Sequence, residues 1–129
     1  MTEKTSELLN RAADEIQKYG WTTGEDGWFR DKNAGLCLEG GILAAMGLEF
    51  GVGNPEDFWA CPAYNAVADY LGLEQGWDGS REVWRWNDGA IVSPHAGVAT
   101  AEKVIEVLRG AAMVEEAKER AAEVAAAHA

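Results

Sequence analysis

The sequence predicts a mainly α, single compact helical domain, with a short hairpin or irregular loop near residues 21–35 and a long C-terminal helix. Apolar residues recur at spacings of three and four near both ends of the chain, and glycine-rich turns separate these segments. With 129 residues, 47% of them apolar, the chain is large enough for one core. We expect a helical domain over residues 1–112 and an alanine- and glutamate-rich helical extension over residues 113–129.

The first helix is predicted from Thr5 to Tyr19, because one stripe of it is apolar. The stripe consists of Leu8, Leu9, Ala12, Ala13, Ile16 and Tyr19. Thr5 is expected to cap its start and Gly20 its end. In the following loop, turn residues flank a short aromatic run at Trp28 and Phe29, which is typical of a small hairpin or an irregular loop.

A second helix is predicted over residues 36–48, and its apolar side is unusually small. That side consists of Cys37, Gly40, Gly41, Ala44 and Ala45. Each glycine costs about 1 kcal/mol relative to alanine in a helix. We therefore expect another backbone, or a large aromatic such as a tryptophan, to approach this side closely.

The remaining elements follow from helix start and stop signals. A helix is expected to begin at Asn54-Pro55, and another at Pro62 that ends at Gly72. Residues 76–97 are predicted to be irregular, since residues 83–86 alternate in polarity too briefly for a strand.

Thr100 is predicted to cap the last helix, and Glu116 and Arg120 are spaced to form a pair within it. Beyond Met113 the helix has little apolar area to bury. We expect that part to fray or to pack on a second copy of the chain.

The charge pattern bears on the class of partner. Seven acidic residues and no basic residue lie between Leu36 and Gly79, and the net charge is −11. The electrostatic field of this negative charge repels nucleic acid and anionic lipid, so we expect no direct binding to either. An alternative is that the acidic surface mimics a nucleic acid and occupies a basic site on another protein.

Segments and motifs that would imply a membrane, a metal or a cofactor are missing. No apolar run approaches the roughly 20 residues of a membrane span, and the N-terminus lacks a signal-peptide pattern, so a cytoplasmic location is expected. Cys37 and Cys61 are expected to be reduced thiols rather than zinc ligands. The acidic residues match no calcium loop, the glycines at residues 51–53 form no phosphate loop, and no metal or cofactor is expected.

Six tryptophans are present, and two of them fall in the run Trp84-Arg85-Trp86-Asn87-Asp88. In the structural interpretation, Trp86 packs into the small-residue groove of the second helix, while Asn87 and Asp88 cap a turn or the last helix. In the functional interpretation, Trp84 stays partly exposed and anchors a partner. The two tryptophans share a face if the segment is extended and lie on different sides if it turns.

Trp77 and Trp59 are further candidates for partner binding, whereas Trp21 is assigned to the architecture.

A catalytic alternative is a cysteine hydrolase. Cys37 would lie in the first turn of its helix, His95 would act as the base, and Asn87 or Asp88 would orient it. The acidic surroundings oppose this hypothesis, because they raise the pKa of a thiol.

Several short motifs occur in a characteristic order along the chain. They are Leu8-Leu9, Arg11-Ala12-Ala13, Gly20-Trp21, Gly24, Cys37, Gly40-Gly41, Ala44, Trp86-Asn87-Asp88, Val104-Ile105, Leu108 and Ala111-Ala112. In these the chain resembles an uncharacterised family of small proteins from actinobacteria and their bacteriophages. The segment from Gly89 to Ala99 is longer than in that pattern and lacks an arginine often found before the last helix.

The resemblance implies a phage or actinobacterial accessory protein. We expect it to be non-enzymatic and to bind a host protein or a second copy of itself. In the second case, the C-terminal helix would form the interface of a homodimer.

Overall fold

The computed structural model describes residues 4–23, 35–47, 61–73 and 76–128, and for residues 76–81 it describes the backbone. This part of the chain contains five helices. They are α1 (Thr5–Tyr19), α2 (Leu38–Ala45), α3 (Pro62–Leu71), α4 (Gly76–Asn87) and α5 (Ala101–Ala127). The predicted mainly α class and the long C-terminal helix are confirmed.

Helix α1 forms the centre of the packing, because it lies against α5 on one side and α2 on the other. Its inner face buries Leu9, Ala12, Ala13 and Ile16 almost completely. The predicted bounds of α1 are confirmed, and Gly20 ends it with φ +90° and a hydrogen bond from its N–H to the Ile16 carbonyl (2.7 Å). The predicted cap is wrong, because Thr5 is already helical and Lys4 precedes it without a side-chain cap.

Arg109 of α5 joins the two long helices on their outer side. Its guanidinium donates to the carbonyl and side-chain oxygens of Asn10, to Asp14 (2.6 Å) and to Gln17 (3.0 Å). One side chain thus binds three residues along the outer side of α1.

Helix α2 is shorter than predicted, and every one of its residues is buried. A Cβ added to Gly41 would lie 2.7 Å from Cδ1 of Ile16 and 3.2 Å from the carbonyl oxygen of Ala12. The expected close approach is therefore made by α1. At Gly41 the neighbouring side chain is Ile16 rather than a tryptophan.

The loop between α1 and α2 is described only at its ends. Trp21 and Leu36 form an isolated parallel bridge, with hydrogen bonds from Thr22 N–H to the Leu36 carbonyl and from Leu36 N–H to the Gly20 carbonyl. The two ends thus run in the same direction where they meet. The aromatic run of this loop and the predicted helix start at Asn54 lie outside the described residues.

Helix α3 begins at Pro62 and ends at Gly72 in the left-handed conformation, as predicted. Helix α4 replaces the predicted irregular segment over residues 76–87, and this correction has a tertiary cause. Val83 and Trp86 are three residues apart, one helical turn, and both are fully buried in the core. Their burial stabilises a helix whose propensity is lowered by the two glycines in its first turns.

Helix α5 runs without interruption to Ala127 and is capped by the Thr100 hydroxyl, which accepts from Lys103 N–H (3.0 Å). This cap and the pairing of Glu116 with Arg120 are confirmed.

The outer half of α5 also contacts the start of α1. The Ser6 hydroxyl donates to Glu119, and Lys4 pairs with Glu123 (2.9 Å). These contacts hold the extension on α1, although most of its side chains are exposed. Within the described ranges, no helix has the length and apolarity needed to span a bilayer.

Candidate functional site

Asn87, at the end of α4, is the centre of a buried polar junction. Its side-chain oxygen accepts from the backbone N–H of Leu38 (3.0 Å) and from the indole N–H of Trp21 (2.9 Å). Its amide nitrogen donates to the carbonyl of Thr22 and to Asp88, each at 3.4 Å. Asn87 thus joins the end of α4 to the start of α2 and to the segment that follows α1.

Trp86 extends this junction toward α5. Its ring is fully buried, and its indole N–H donates to the carbonyl of Gly97 (2.8 Å), which lies just before the last helix. Adjacent residues of α4 therefore bind the start of α2 and the segment that leads into α5. This geometry gives the Trp86-Asn87 pair a packing and hydrogen-bonding role.

Trp84 points away from this core. It is 47% exposed, whereas Trp86 two positions later is completely buried. The segment is helical, so the two rings lie on different sides of α4. The alternative, in which an extended segment places both rings on one face, does not occur. The side chain of Trp77 and all of Trp59 lie outside the described residues.

Cys37 occupies the position before the first residue of α2, and its sulfur accepts from the N–H of Gly40 (3.3 Å). The side chain is 3% exposed. Burial raises the pKa of the Cys37 thiol to about 12, and the nearby carboxylates Glu39 and Asp88 add to this rise. The helix N-terminus lowers the pKa by less than burial raises it.

Glu39 and Tyr64 complete a buried polar group beside Cys37. Glu39 is 6% exposed, and it accepts from the hydroxyl of Tyr64 (3.3 Å). Burial and the Glu39 carboxylate raise the pKa of the Tyr64 hydroxyl above its usual value, and the two thiols Cys37 and Cys61 contribute. Sequence reasoning missed this group, because residues 25 positions apart in different helices give no local pattern.

His95 lies elsewhere, at the end of α3. Its Nδ1 is 3.2 Å from the Tyr70 carbonyl, and its backbone N–H donates to the hydroxyl of Ser93. Within the described part of the chain, neither a hydrogen bond nor an effect on the thiol pKa joins His95 to Cys37. Of the four catalytic candidates, the structure brings Asn87 and Asp88 to the start of α2, where Cys37 lies, and places His95 on other partners.

The described ranges contain no arrangement of side chains that is typical of a metal site. They contain no group of three or more histidine, cysteine, aspartate or glutamate side chains arranged to hold a metal ion.

The fold and the Asn87 junction define a small helical domain in which one polar side chain joins three segments. The chain belongs to a family of unknown function (DUF6197), whose model matches residues 1–114. The match ends within α5, so the exposed outer part of that helix falls beyond it. Neither a curated protein nor a solved structure gives a significant match.

Proposed function

We propose that the protein is a non-enzymatic accessory protein of an actinobacterium or its bacteriophage that acts in the bacterial cytoplasm by binding another protein. The observation that supports this proposal is the exposure of Trp84 on the outer face of α4. Tryptophan is the residue type most enriched at the energetic centres of protein interfaces. Its neighbours Trp86 and Asn87 are used by the fold, so Trp84 is the part of the cluster open to a partner.

The buried state of Cys37 counts against the alternative of a cysteine hydrolase. A nucleophilic cysteine needs a lowered pKa and access to substrate. Cys37 has a raised pKa and 3% exposure, and His95 binds the end of α3.

The exposed apolar side of α5 supports a second form of protein binding, a homodimer. Val114 and Val124 are 45% and 58% exposed, and Ala117 and Ala121 lie between them, also exposed. Because they are three, four and three residues apart, these side chains form one apolar stripe along the helix, as in the contact seam of two paired helices.

The test for Trp84 uses three immobilised proteins: wild type, Trp84→Ser, and Val98→Ser as the control. Val98 is 58% exposed and lies outside α4, so this control also removes an exposed apolar side chain. Each is incubated with actinobacterial lysate, and captured proteins are quantified by mass spectrometry. We expect a partner held by wild type and Val98→Ser and reduced at least tenfold by Trp84→Ser. Identical capture by all three proteins would contradict the proposal.

A further inference from the structure

The outer half of α5, residues 113–127, is joined to the first residues of α1 by two polar contacts. The carboxylate of Glu119 accepts from both the backbone N–H (3.3 Å) and the hydroxyl of Ser6. One turn further along α5, Glu123 accepts from the ammonium group of Lys4 (2.9 Å). We call these two contacts the terminal latch, because they join the two ends of the described chain.

The terminal latch gives α1 a cap that its own sequence does not supply. Lys4 occupies the capping position and makes no side-chain hydrogen bond to the helix. The first N–H groups of a helix have no partner within it, and a carboxylate beside them also interacts favourably with the helix dipole. Glu119 provides that carboxylate from 113 positions away, so the start of α1 is stabilised by α5.

The two contacts of the terminal latch differ in their exposure to water. Lys4 and Glu123 form an exposed ion pair, which contributes little to stability. Ser6 is only 5% exposed, so its hydrogen bonds with Glu119 are the stronger part. Beyond Glu119 every described side chain of α5 is exposed, so burial of apolar area does little to hold this part of the helix.

The position of Glu119 also determines which side of α5 faces solvent. Successive residues of an α-helix are about 100° apart, so Ala117 and Ala121 lie roughly 160° around the helix from Glu119. Val114 and Val124, the other members of the apolar stripe, lie roughly 140° from it. When Glu119 is bound to α1, the apolar stripe therefore points away from the domain.

We propose that the terminal latch controls dimerisation, which deepens, and rests on, the homodimer form of the proposed function. When the latch is closed, the start of α1 and the outer half of α5 are both ordered, and the apolar stripe is presented to a second copy of the chain. When it opens, both segments fray together. A contact between two segments stabilises each by the same free energy, so ordering one also favours order in the other. The dimer Kd then rises as the closed fraction falls.

Amide hydrogen exchange followed by NMR in dilute protein tests whether the two segments open together. In Glu119→Ala we expect exchange about fivefold faster at Leu8 and at residues 120–127, as for the loss of one hydrogen bond. The Leu8 N–H makes the first hydrogen bond of α1, to the Lys4 carbonyl (3.0 Å). The higher helix propensity of alanine would by itself slow exchange. Unchanged protection at residues 104–112 shows that the core is intact.

Glu116→Ala is the matched control, because it makes the same change one turn earlier in α5. Glu116 pairs with Arg120 within the helix rather than with α1, so exchange at Leu8 should change by less than about twofold.

Ser6→Ala breaks the terminal latch from the α1 side. It should speed exchange at residues 120–127, although less than Glu119→Ala does, because the Ser6 backbone N–H remains. The double variant should exchange no faster than Glu119→Ala alone, since the two changes remove one shared contact.

Light scattering over a range of concentrations measures the effect on dimerisation. We expect Glu119→Ala to raise the dimer Kd at least about threefold, and Glu116→Ala to change it by less than about twofold.

Equal exchange in the Glu119→Ala and Glu116→Ala proteins would show that the terminal latch does not exist. Faster exchange at Leu8 with an unchanged dimer Kd would overturn its control of dimerisation. A monomeric wild type would contradict the homodimer and this control with it, whereas exchange at Leu8 still decides whether the latch couples the two helices. Capture of a partner through Trp84 is independent of these results.

Discussion

Asn87 shows at the scale of one residue how a turn-forming side chain becomes a structural junction. It is 2% exposed, and its oxygen accepts from Leu38 N–H and the Trp21 indole. A buried donor left without an acceptor costs about 1–3 kcal/mol. The Asn87 side chain therefore contributes more to the free energy of unfolding than an asparagine in an exposed turn.

We expect Asn87→Ala to lower the free energy of unfolding by about 2–3 kcal/mol, because it leaves two donors without their acceptor. Urea unfolding followed by circular dichroism measures the loss. Gln17→Ala is the control, since it removes an exposed amide that binds Arg109 and should cost less than about 0.5 kcal/mol. Equal losses in the two variants would contradict the junction role of Asn87.

Cys37 is the second residue whose environment makes a measurable prediction. Burial raises its pKa from the 9.0 of an exposed cysteine thiol to about 12 in the folded protein. The unfolded thiol thus ionises first as pH rises, and the stability that Cys37 contributes is complete below pH 9 and declines between pH 9 and 12. The expected decline is roughly 1 kcal/mol per pH unit.

Urea unfolding at several pH values from 8 to 10.5 tests this, with Cys37→Ala as the comparison. The variant should lose stability less steeply above pH 9, and Tyr64, whose pKa is also raised, accounts for part of the slope that remains. In the native protein, iodoacetamide should modify the half-buried Cys61 before Cys37. Rapid alkylation of Cys37 near neutral pH would instead support the cysteine hydrolase.

At the scale of the helix, the pairing of α1 with α2 explains a glycine that helix propensity disfavours. The Cβ position of Gly41 is occupied by Ile16 and faces the Ala12 carbonyl. The glycine thus allows two helices to approach more closely than alanine would.

We expect Gly41→Ala to destabilise the protein by about 1–2 kcal/mol, because the clash outweighs the gain of about 1 kcal/mol in helix propensity. Thermal unfolding measures it. Ile16→Val removes the Cδ1 atom nearest to the new methyl group, so the double variant should lose less stability than the sum of the two single variants. A net stabilisation by Gly41→Ala would contradict the close packing.

At the scale of the whole molecule, the outer half of α5 stands apart from the core. It is held to α1 by the Ser6–Glu119 and Lys4–Glu123 contacts, while Met113 is 72% exposed. Because most helices in proteins are stabilised by packing their apolar face on the rest of the domain, the exposed outer half of α5 receives little stabilisation from its own domain.

We expect the full-length chain to show the mass of a dimer by light scattering at high concentration, and the chain ended after Val114 to show that of a monomer. The shortened chain should keep its core and melt only a few degrees lower, because the Ser6–Glu119 hydrogen bond contributes about 1 kcal/mol. A monomeric mass for the full-length chain would contradict dimerisation through α5.

The sequence by itself determined α1, α3, the start of α5 and the class of the fold. Their apolar stripes follow helical spacing, and Gly20, Gly72 and Thr100 mark ends that depend on local backbone geometry. These signals lie within a few residues of the structure they specify, so they can be recognised without knowledge of the rest of the chain.

Only the tertiary structure decided α4, the role of Asn87 and the terminal latch. Helix α4 forms because Val83 and Trp86 are buried against other helices, and the partners of Asn87 are 49 and 66 positions away. The latch joins Ser6 to Glu119, 113 positions away. Burial and hydrogen bonding between distant segments outweigh local propensity at these places, which is why the residues of α4, viewed along the chain, predicted an irregular segment.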